Sequence, residues 1–216
     1  MTSGRLITIE GLDGAGKTTL AGGLARELAA RGVQTESMRE PGGVETSERI
    51  RALVMDPALR VSARAEALLY AAARAQLVEE AVEPLLAAGT WVLLDRFIDS
   101  SLAYQGGGRD LGLDAVRGVN QFATGGLLPD RTLLLRLDPA AGRARQAERE
   151  APPDRLERSP DEFFAAVAAA YEELAREEPA RVRAIDASQA PDAVLQDAVR
   201  ALVDLLPLPR TSRGIA

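Results

Sequence analysis

The sequence predicts an α/β chain with a P-loop NTPase-like three-layer fold, a five-stranded parallel sheet flanked by helices, and two observations carry that expectation. Apolar segments rich in leucine or β-branched residues recur at 6–10, 35–39, 91–95, 132–137 and 182–186, with helical periodicity between them. Strands that alternate with helices form a parallel sheet covered on both faces. The second observation is Gly11-Leu12-Asp13-Gly14-Ala15-Gly16-Lys17-Thr18, which fits G-x-x-x-x-G-K-[ST] and stands between the first strand and a helix.

Taken in order, the helical patterns cover 17–31, 47–55, 63–88, 113–122, 161–177 and 192–205, the third being long and alanine-rich. Residues 1–206 form one expected domain, and 207–216 an expected flexible tail. Two segments resist the scheme. Gly106-Gly107-Gly108 looks too flexible for an element interior. Residues 143–158 crowd arginines and carboxylates around Pro152-Pro153, which fits either a solvated charged surface or a mobile lid.

Composition narrows the chemistry. The 216 residues include no cysteine and no histidine, which excludes disulfides, thiolate metal sites, cysteine nucleophiles and histidine proton shuttles. Catalysis must rest on carboxylates, hydroxyls, arginine, backbone amides or a metal held by oxygen. A net charge of −6 and a pI near 4.9 argue against a nucleic-acid partner. With no charged leader and no apolar run of membrane-spanning length, a soluble cytoplasmic protein without a membrane partner is expected. Of 26 lysine and arginine residues only Lys17 is lysine, and it falls inside the glycine-rich motif.

That motif supplies a phosphate cradle. Its glycines let successive N–H groups converge on a β-phosphate, the helix N-terminus adds its dipole, and Lys17 reaches the β- and γ-oxygens. Thr18, followed by Thr19, is placed to ligate Mg²⁺. ATP is therefore the expected phosphoryl donor, with residues 11–19 as its seat. A guanine-specific N-K-x-D box would need a second lysine, so a regulatory GTPase is not expected.

The acceptor side lies in Asp95-Arg96-Phe97-Ile98-Asp99-Ser100-Ser101-Leu102-Ala103-Tyr104-Gln105-Gly106. Here the sequence closely resembles the thymidylate kinases. The same resemblance runs through Ile9-Glu10-Gly11-Leu12-Asp13-Gly14, Arg39-Glu40-Pro41-Gly42-Gly43, Leu68-Leu69-Tyr70 with Arg74-Ala75-Gln76, Asp154-Arg155-Leu156-Glu157, and Ile185-Asp186-Ala187-Ser188. It implies a kinase that moves the γ-phosphoryl of ATP to dTMP in dTTP synthesis, as a homodimer with Mg²⁺. Another nucleotide kinase, or a noncatalytic ATP-binding regulator, is the alternative.

The resemblance also assigns residues. Tyr70 would stack on thymine and Arg74 bond its O4, and their spacing of four puts both on one helix face. From the residues alone they are more often a core aromatic and a surface ion-pair partner. Arg96 would grip the acceptor phosphate with Arg39 and Arg51, although Arg51 also fits a solvated helix position. Ser101 and Gln105 would border the base. Tyr104 would pack on the deoxyribose, where it rejects a ribose 2′-hydroxyl. Asp95 would serve Mg²⁺ from its outer shell, or simply cap a strand end, while Asp13 would face acceptor sugar and metal. Glu157 would reach the same region from the lid. The chain has Leu77 where the family often has histidine.

No general base is needed, because a phosphate monoester already presents an anionic oxygen near neutral pH. Catalysis is then alignment and charge neutralisation by Lys17, Arg96 and a further arginine. The resemblance implies a catalytic arginine either in the phosphate loop or in the lid, and since this loop carries none, it points to Arg143, Arg145, Arg149 and Arg155. Arg149 is favoured, with Arg155 as the alternate.

Overall fold

The computed structural model describes residues 4–147 and 154–206. Five parallel strands, β1 (Leu6–Gly11), β2 (Thr35–Arg39), β3 (Trp91–Asp95), β4 (Arg131–Arg136) and β5 (Val182–Asp186), pair in the order β2-β3-β1-β4-β5. The expected strands are all present, two with ends shifted by a residue. Their side chains alternate between two buried faces. Ile7, Ile9, Leu93, Leu133, Leu135 and Ile185 pack against α1 (Lys17–Ala30) and α9 (Pro191–Ala201). Leu6, Val92, Leu94 and Leu134 face the opposite helices. Parallel register then gathers functional groups at one edge: Asp95 stands beside both Ile9 and Arg39, and Gly11 beside Leu135. A parallel sheet presents its ligands at these carboxyl ends.

The remaining helices are α2 (Glu45–Met55), α3 (Ala63–Leu77), α4 (Glu83–Ala87), α5 (Ile98–Ser101), α6 (Leu113–Ala123), α7 (Pro139–Ala147) and α8 (Asp161–Glu177). Ser62 caps α3 by accepting from the Ala65 N–H at 3.4 Å. The expected single helix 63–88 is interrupted by a π-helical turn at Val78–Val82, where the Glu83 N–H bonds back to the Val78 carbonyl. Pro84 explains the break, since it cannot donate to the preceding turn and its ring crowds the carbonyl there.

The glycine run corrects its expectation. Gly106, Gly107 and Gly108 lie inside a second π-helical segment, Leu102–Gly108, packed against α8. A Cβ at Gly107 would stand 2.6 Å from the Ala170 Cβ, and one at Gly108 2.6 Å from the Phe163 ring. These glycines are contact surfaces that let two helices approach, and local flexibility misstates their role. The charged run 143–158 begins inside α7, another helix not expected, and resumes at Asp154. Arg149 and Pro152-Pro153 lie outside the described residues, as does 207–216.

Replacing Gly107 with Ala should destabilise the fold by about 1–3 kcal/mol through overpacking against α8. Gly118→Ala, on an open face of α6 with nothing within 4 Å of the new methyl, should stabilise it by roughly 0.5–1 kcal/mol. Urea unfolding of both variants measures the contrast.

Candidate active site

A cleft of about 580 Å³ opens over the strand ends, lined by the phosphate loop on one side and by α2, α3 and the Leu102–Gly108 segment on the other. The loop leaves β1 at Gly11 with φ 133° and enters α1 through Gly16 with φ 93°, conformations that a side chain would strain. Lys17 is 7% exposed and donates to the Gly11 and Leu12 carbonyls at 3.2 and 3.0 Å. Burial, then the Arg96 charge, pull its ammonium down to about 8, and Asp13 and Asp95 oppose them. Thr18 Oγ1 donates to Asp95 Oδ2 at 3.1 Å, bringing two oxygen ligands together at the end of β3. Thr19 lines the same side.

Arg96 joins the loop to the acceptor arm. Its guanidinium meets Asp13 Oδ1 at 2.6 Å, the Tyr104 hydroxyl at 3.2 Å and Ser100 Oγ at 3.1 Å, and it lies over the Tyr104 ring at 4.9 Å. The Tyr104 hydroxyl donates to Asp13 Oδ2 at 3.3 Å, and its ring is wedged edge-on between Phe163 and Tyr171. Burial, first of all, holds the Tyr104 phenol well above its ordinary range. Beneath Arg96 sits Glu10, fully buried, whose carboxyl is pushed up to about 7 by burial and then by Asp99.

Arg74 is a hub that the sequence does not reveal. Only 1% exposed, it donates through Nε to Glu40 at 2.8 Å, and through its two amino groups to Ser101 Oγ at 2.9 Å, the Phe97 carbonyl at 2.9 Å and Asn120 Oδ1. A second contact to Glu40 at 2.6 Å occupies the remaining donor. Glu40 is buried with it, its Oε1 having no hydrogen-bond partner among the described residues. Desolvation raises the Glu40 pKa, and Arg74 opposes the shift. Arg74 and Ser101 line the cleft, yet both are already engaged with each other.

Glu66, one turn before Tyr70 on α3, is a second buried hub. It accepts from Gln105 at 2.9 Å and from Arg109 at 3.2 and 3.3 Å, and lies 2.7 Å from Arg155. Arg155 also donates to the Val54 carbonyl at 2.7 Å. The structure thus ties Arg155 to α2 and α3. Tyr70 is half-buried and faces the cleft; burial, then Glu66, raise its phenol well above the usual range.

The outer residues are placed as follows. Arg39 is an exposed partner of Glu48, at 3.0 and 3.1 Å, while Arg51 donates to the Pro41 carbonyl at 3.0 Å. Both arginines line the cleft. Glu157 accepts from Gln146 at 3.0 Å and from the Asp154 N–H at 3.0 Å, and stands at the cleft rim. α7 rests directly on the phosphate loop, where a Cβ at Gly14 would come 2.4 Å from the Gly142 carbonyl oxygen. From that helix Arg145 donates to the Gly14 and Ala187 carbonyls at 3.4 Å, whereas Arg143 pairs with Asp161.

Sequence reasoning missed Glu10, Glu40, Glu66, Ser100, Asn120 and Tyr171. For Glu10 a signal existed, a carboxylate closing the apolar strand Leu-Ile-Thr-Ile-Glu.

A phosphate loop and an arginine-lined acceptor arm sharing one cleft define a P-loop nucleotide phosphotransferase. The family model described as thymidylate kinase matches residues 9–198. A thymidylate kinase of Rhizorhabdus wittichii is 47% identical over 94% of this chain and 99% of its own. Those of Halorhodospira halophila and Deinococcus radiodurans are 45% and 46% identical, over 95% and 89% of this chain and 96% and 93% of theirs. The chain belongs to the thymidylate kinase family and is a nucleoside monophosphate kinase.

Two measurements check this geometry. An anion on Lys17 should return its ammonium toward the ordinary 10.5, so ATP binding takes up a proton, and affinity falls by up to about tenfold per unit as pH rises above about 8. Calorimetry in buffers of different ionisation enthalpy reads that uptake directly; a zero value throughout this window would remove Lys17 from the phosphates. Arg74→Ala leaves the Glu40 carboxylate buried and unpaired, and should cost about 3–5 kcal/mol in chemical denaturation. Glu40→Gln in the same chain should recover part of the loss.

Proposed function

We propose that the cleft holds ATP on residues 11–19 and dTMP against Tyr70, Arg74, Arg96 and Tyr104, and transfers the γ-phosphoryl group between them. The observation that carries this reading is the Asp13–Arg96–Tyr104 cluster, which joins the two arms of one cleft at their meeting point. Arg96, with Arg39 and Arg51 nearby, holds the acceptor phosphate. The mutual closeness of Arg39 and Arg51 supports an anion between them: after burial, Arg39 is the largest influence lowering the Arg51 pKa. Tyr104 excludes a ribose because Phe163 and Tyr171 leave its ring nowhere to retreat. Tyr70 offers the stacking face, and Ser101 and Gln105 border the base.

The acceptor phosphate supplies its own nucleophilic oxygen, so the residues align the two phosphates and neutralise charge. Lys17 and the loop amides serve the β- and γ-oxygens. Thr18 would hold Mg²⁺, with Asp95, which accepts from the Thr18 hydroxyl, as an outer-shell partner and Asp13 as a further carboxylate toward the metal and the acceptor sugar. When bound, Mg²⁺ neutralises the bridging phosphate oxygens. Arg149, outside the described residues, is the proposed lid arginine for the transferring group, and Arg145 bonds the loop. Arg155 and Glu157 instead fix the root of the lid. We also propose a cytoplasmic homodimer. Leu53, Leu68 and Phe122 are exposed on α2, α3 and α6, three helices packed side by side, and Phe122 is 92% exposed. An apolar patch of this kind marks a protein interface.

A coupled ADP-release assay across nucleoside monophosphates tests the assignment. dTMP should give the highest kcat/KM and its ribose form a far lower one; equal values, or ADP release independent of acceptor, would overturn it.

A further inference from the structure

Arg96 adopts φ 74°, a left-handed backbone conformation that is strained for a side chain of its size. That twist turns its guanidinium back toward Asp13. Something must hold the elbow, and Glu10, fully buried beside it, has no role assigned so far. Glu10 Oε1 accepts from the Phe97 N–H at 2.7 Å, which fixes the peptide immediately after Arg96. The Arg96 N–H itself donates to the Ile9 carbonyl at 3.0 Å, so the elbow is laced to the end of β1 on both sides.

Glu10 Oε2 reaches the other end of the arginine. It accepts from Ser100 Oγ at 2.5 Å and from the Tyr171 hydroxyl at 3.0 Å, and the same Ser100 oxygen accepts from Arg96 at 3.1 Å. Above about pH 7, where its carboxyl is ionised, Glu10 only accepts, and three donors converge on it. It therefore orients the Ser100 hydroxyl so that its lone pair faces the guanidinium. Glu10 is also the residue whose main chain continues into Gly11 and the phosphate loop. One side chain thus links the donor loop to both the backbone and the tip of the acceptor arginine.

We propose that Glu10 is a positioning residue, which aims Arg96 at the acceptor phosphate through the Phe97 peptide and Ser100. The inference rests on the assignment of Arg96 to that phosphate. Its chemical alternative is a carboxylate that merely satisfies the end of a buried strand. The two differ in coupling, because positioning acts only through Arg96 whereas strand support does not.

The experiment is a double-mutant cycle on the full chain with Glu10→Gln and Arg96→Ala, reading kcat/KM for dTMP and, separately, the Kd for ATP. Glutamine keeps the shape and can still bond Phe97, so the fold is retained while the charge is lost. Glu10→Gln should lower kcat/KM for dTMP by about tenfold or more, the scale of a hydrogen bond to a charged group, with ATP affinity within about twofold. In the Arg96→Ala background the same substitution should have no further effect. Equal losses in both backgrounds, a matching loss of ATP affinity, or unchanged acceptor kinetics would overturn the proposal. Should Glu10→Gln fail to fold, Ser100→Ala, which removes the hydroxyl between Glu10, Tyr171 and the guanidinium and leaves the Glu10 bond to the Phe97 N–H, takes its place in the cycle under the same criteria. If Arg96→Ala alone leaves dTMP kinetics unchanged, the assignment of Arg96 falls, and this inference falls with it. If Arg96→Ala impairs dTMP use and Glu10→Gln does not, the inference alone falls.

Discussion

The site depends on a half-buried charge junction where β1 and β3 end side by side. Parallel pairing brings Ile9 against Asp95, which sets the loop after β1 and the elbow after β3 within reach of each other. Arg96 then meets Asp13 at 2.6 Å in a cleft wall where a lone guanidinium would be costly. Much of the neighbouring packing serves that meeting. Tyr104 closes over the guanidinium, Phe163 and Tyr171 hold Tyr104, and the glycines of the Leu102–Gly108 segment admit α8 closely enough to bring those rings in. A packing detail on α8 is in this sense part of the phosphate chemistry.

The acceptor wall is stiffened by two further hubs, centred on Arg74 and on Glu66. Both follow one rule: a charge removed from water needs every donor or acceptor matched. Arg74 meets it with its full set of donors, Glu66 by receiving Gln105, Arg109 and Arg155. Since Tyr70 lies one turn after Glu66 and one before Arg74, it is clamped at both ends of a short helical stretch. Arg155 extends the clamp into the charged run, so α3 and the segment from Asp154 share a single buried carboxylate.

Features carried by neighbouring residues were legible in the sequence. The strands show as short apolar runs and the phosphate loop as a contiguous motif with its strand and helix beside it. Lys17, Thr18, Asp95, Arg96 and Tyr104 come together as expected. What stayed hidden depends on partners distant in the chain. Arg74 finds Glu40 and Asn120 across 34 and 46 residues, and nothing in its own neighbourhood announces them. Local propensity marked Gly106-Gly107-Gly108 as a loose turn because it takes no account of the helix arriving later from α8. The charged run looked like surface or lid for the same reason, and Arg155 leaves that picture only once Glu66 is seen beneath it. The π-helical turn before Pro84 was recoverable in principle, since a proline inside a helical pattern demands some adjustment upstream.

The solitary lysine has a consequence for protein chemistry. Every other basic side chain is a guanidinium, so the chain displays one side-chain amine and keeps it on the floor of the cleft. Burial that draws its pKa down to about 8 also leaves an appreciable share of that amine uncharged, and hence nucleophilic, near neutral pH. An acylating or aldehyde group carried on a phosphate-like anion would meet its target where the anion is bound, with no competing lysine elsewhere on the surface. The lysine on the floor of the cleft is thus a natural covalent handle for labelling or blocking it.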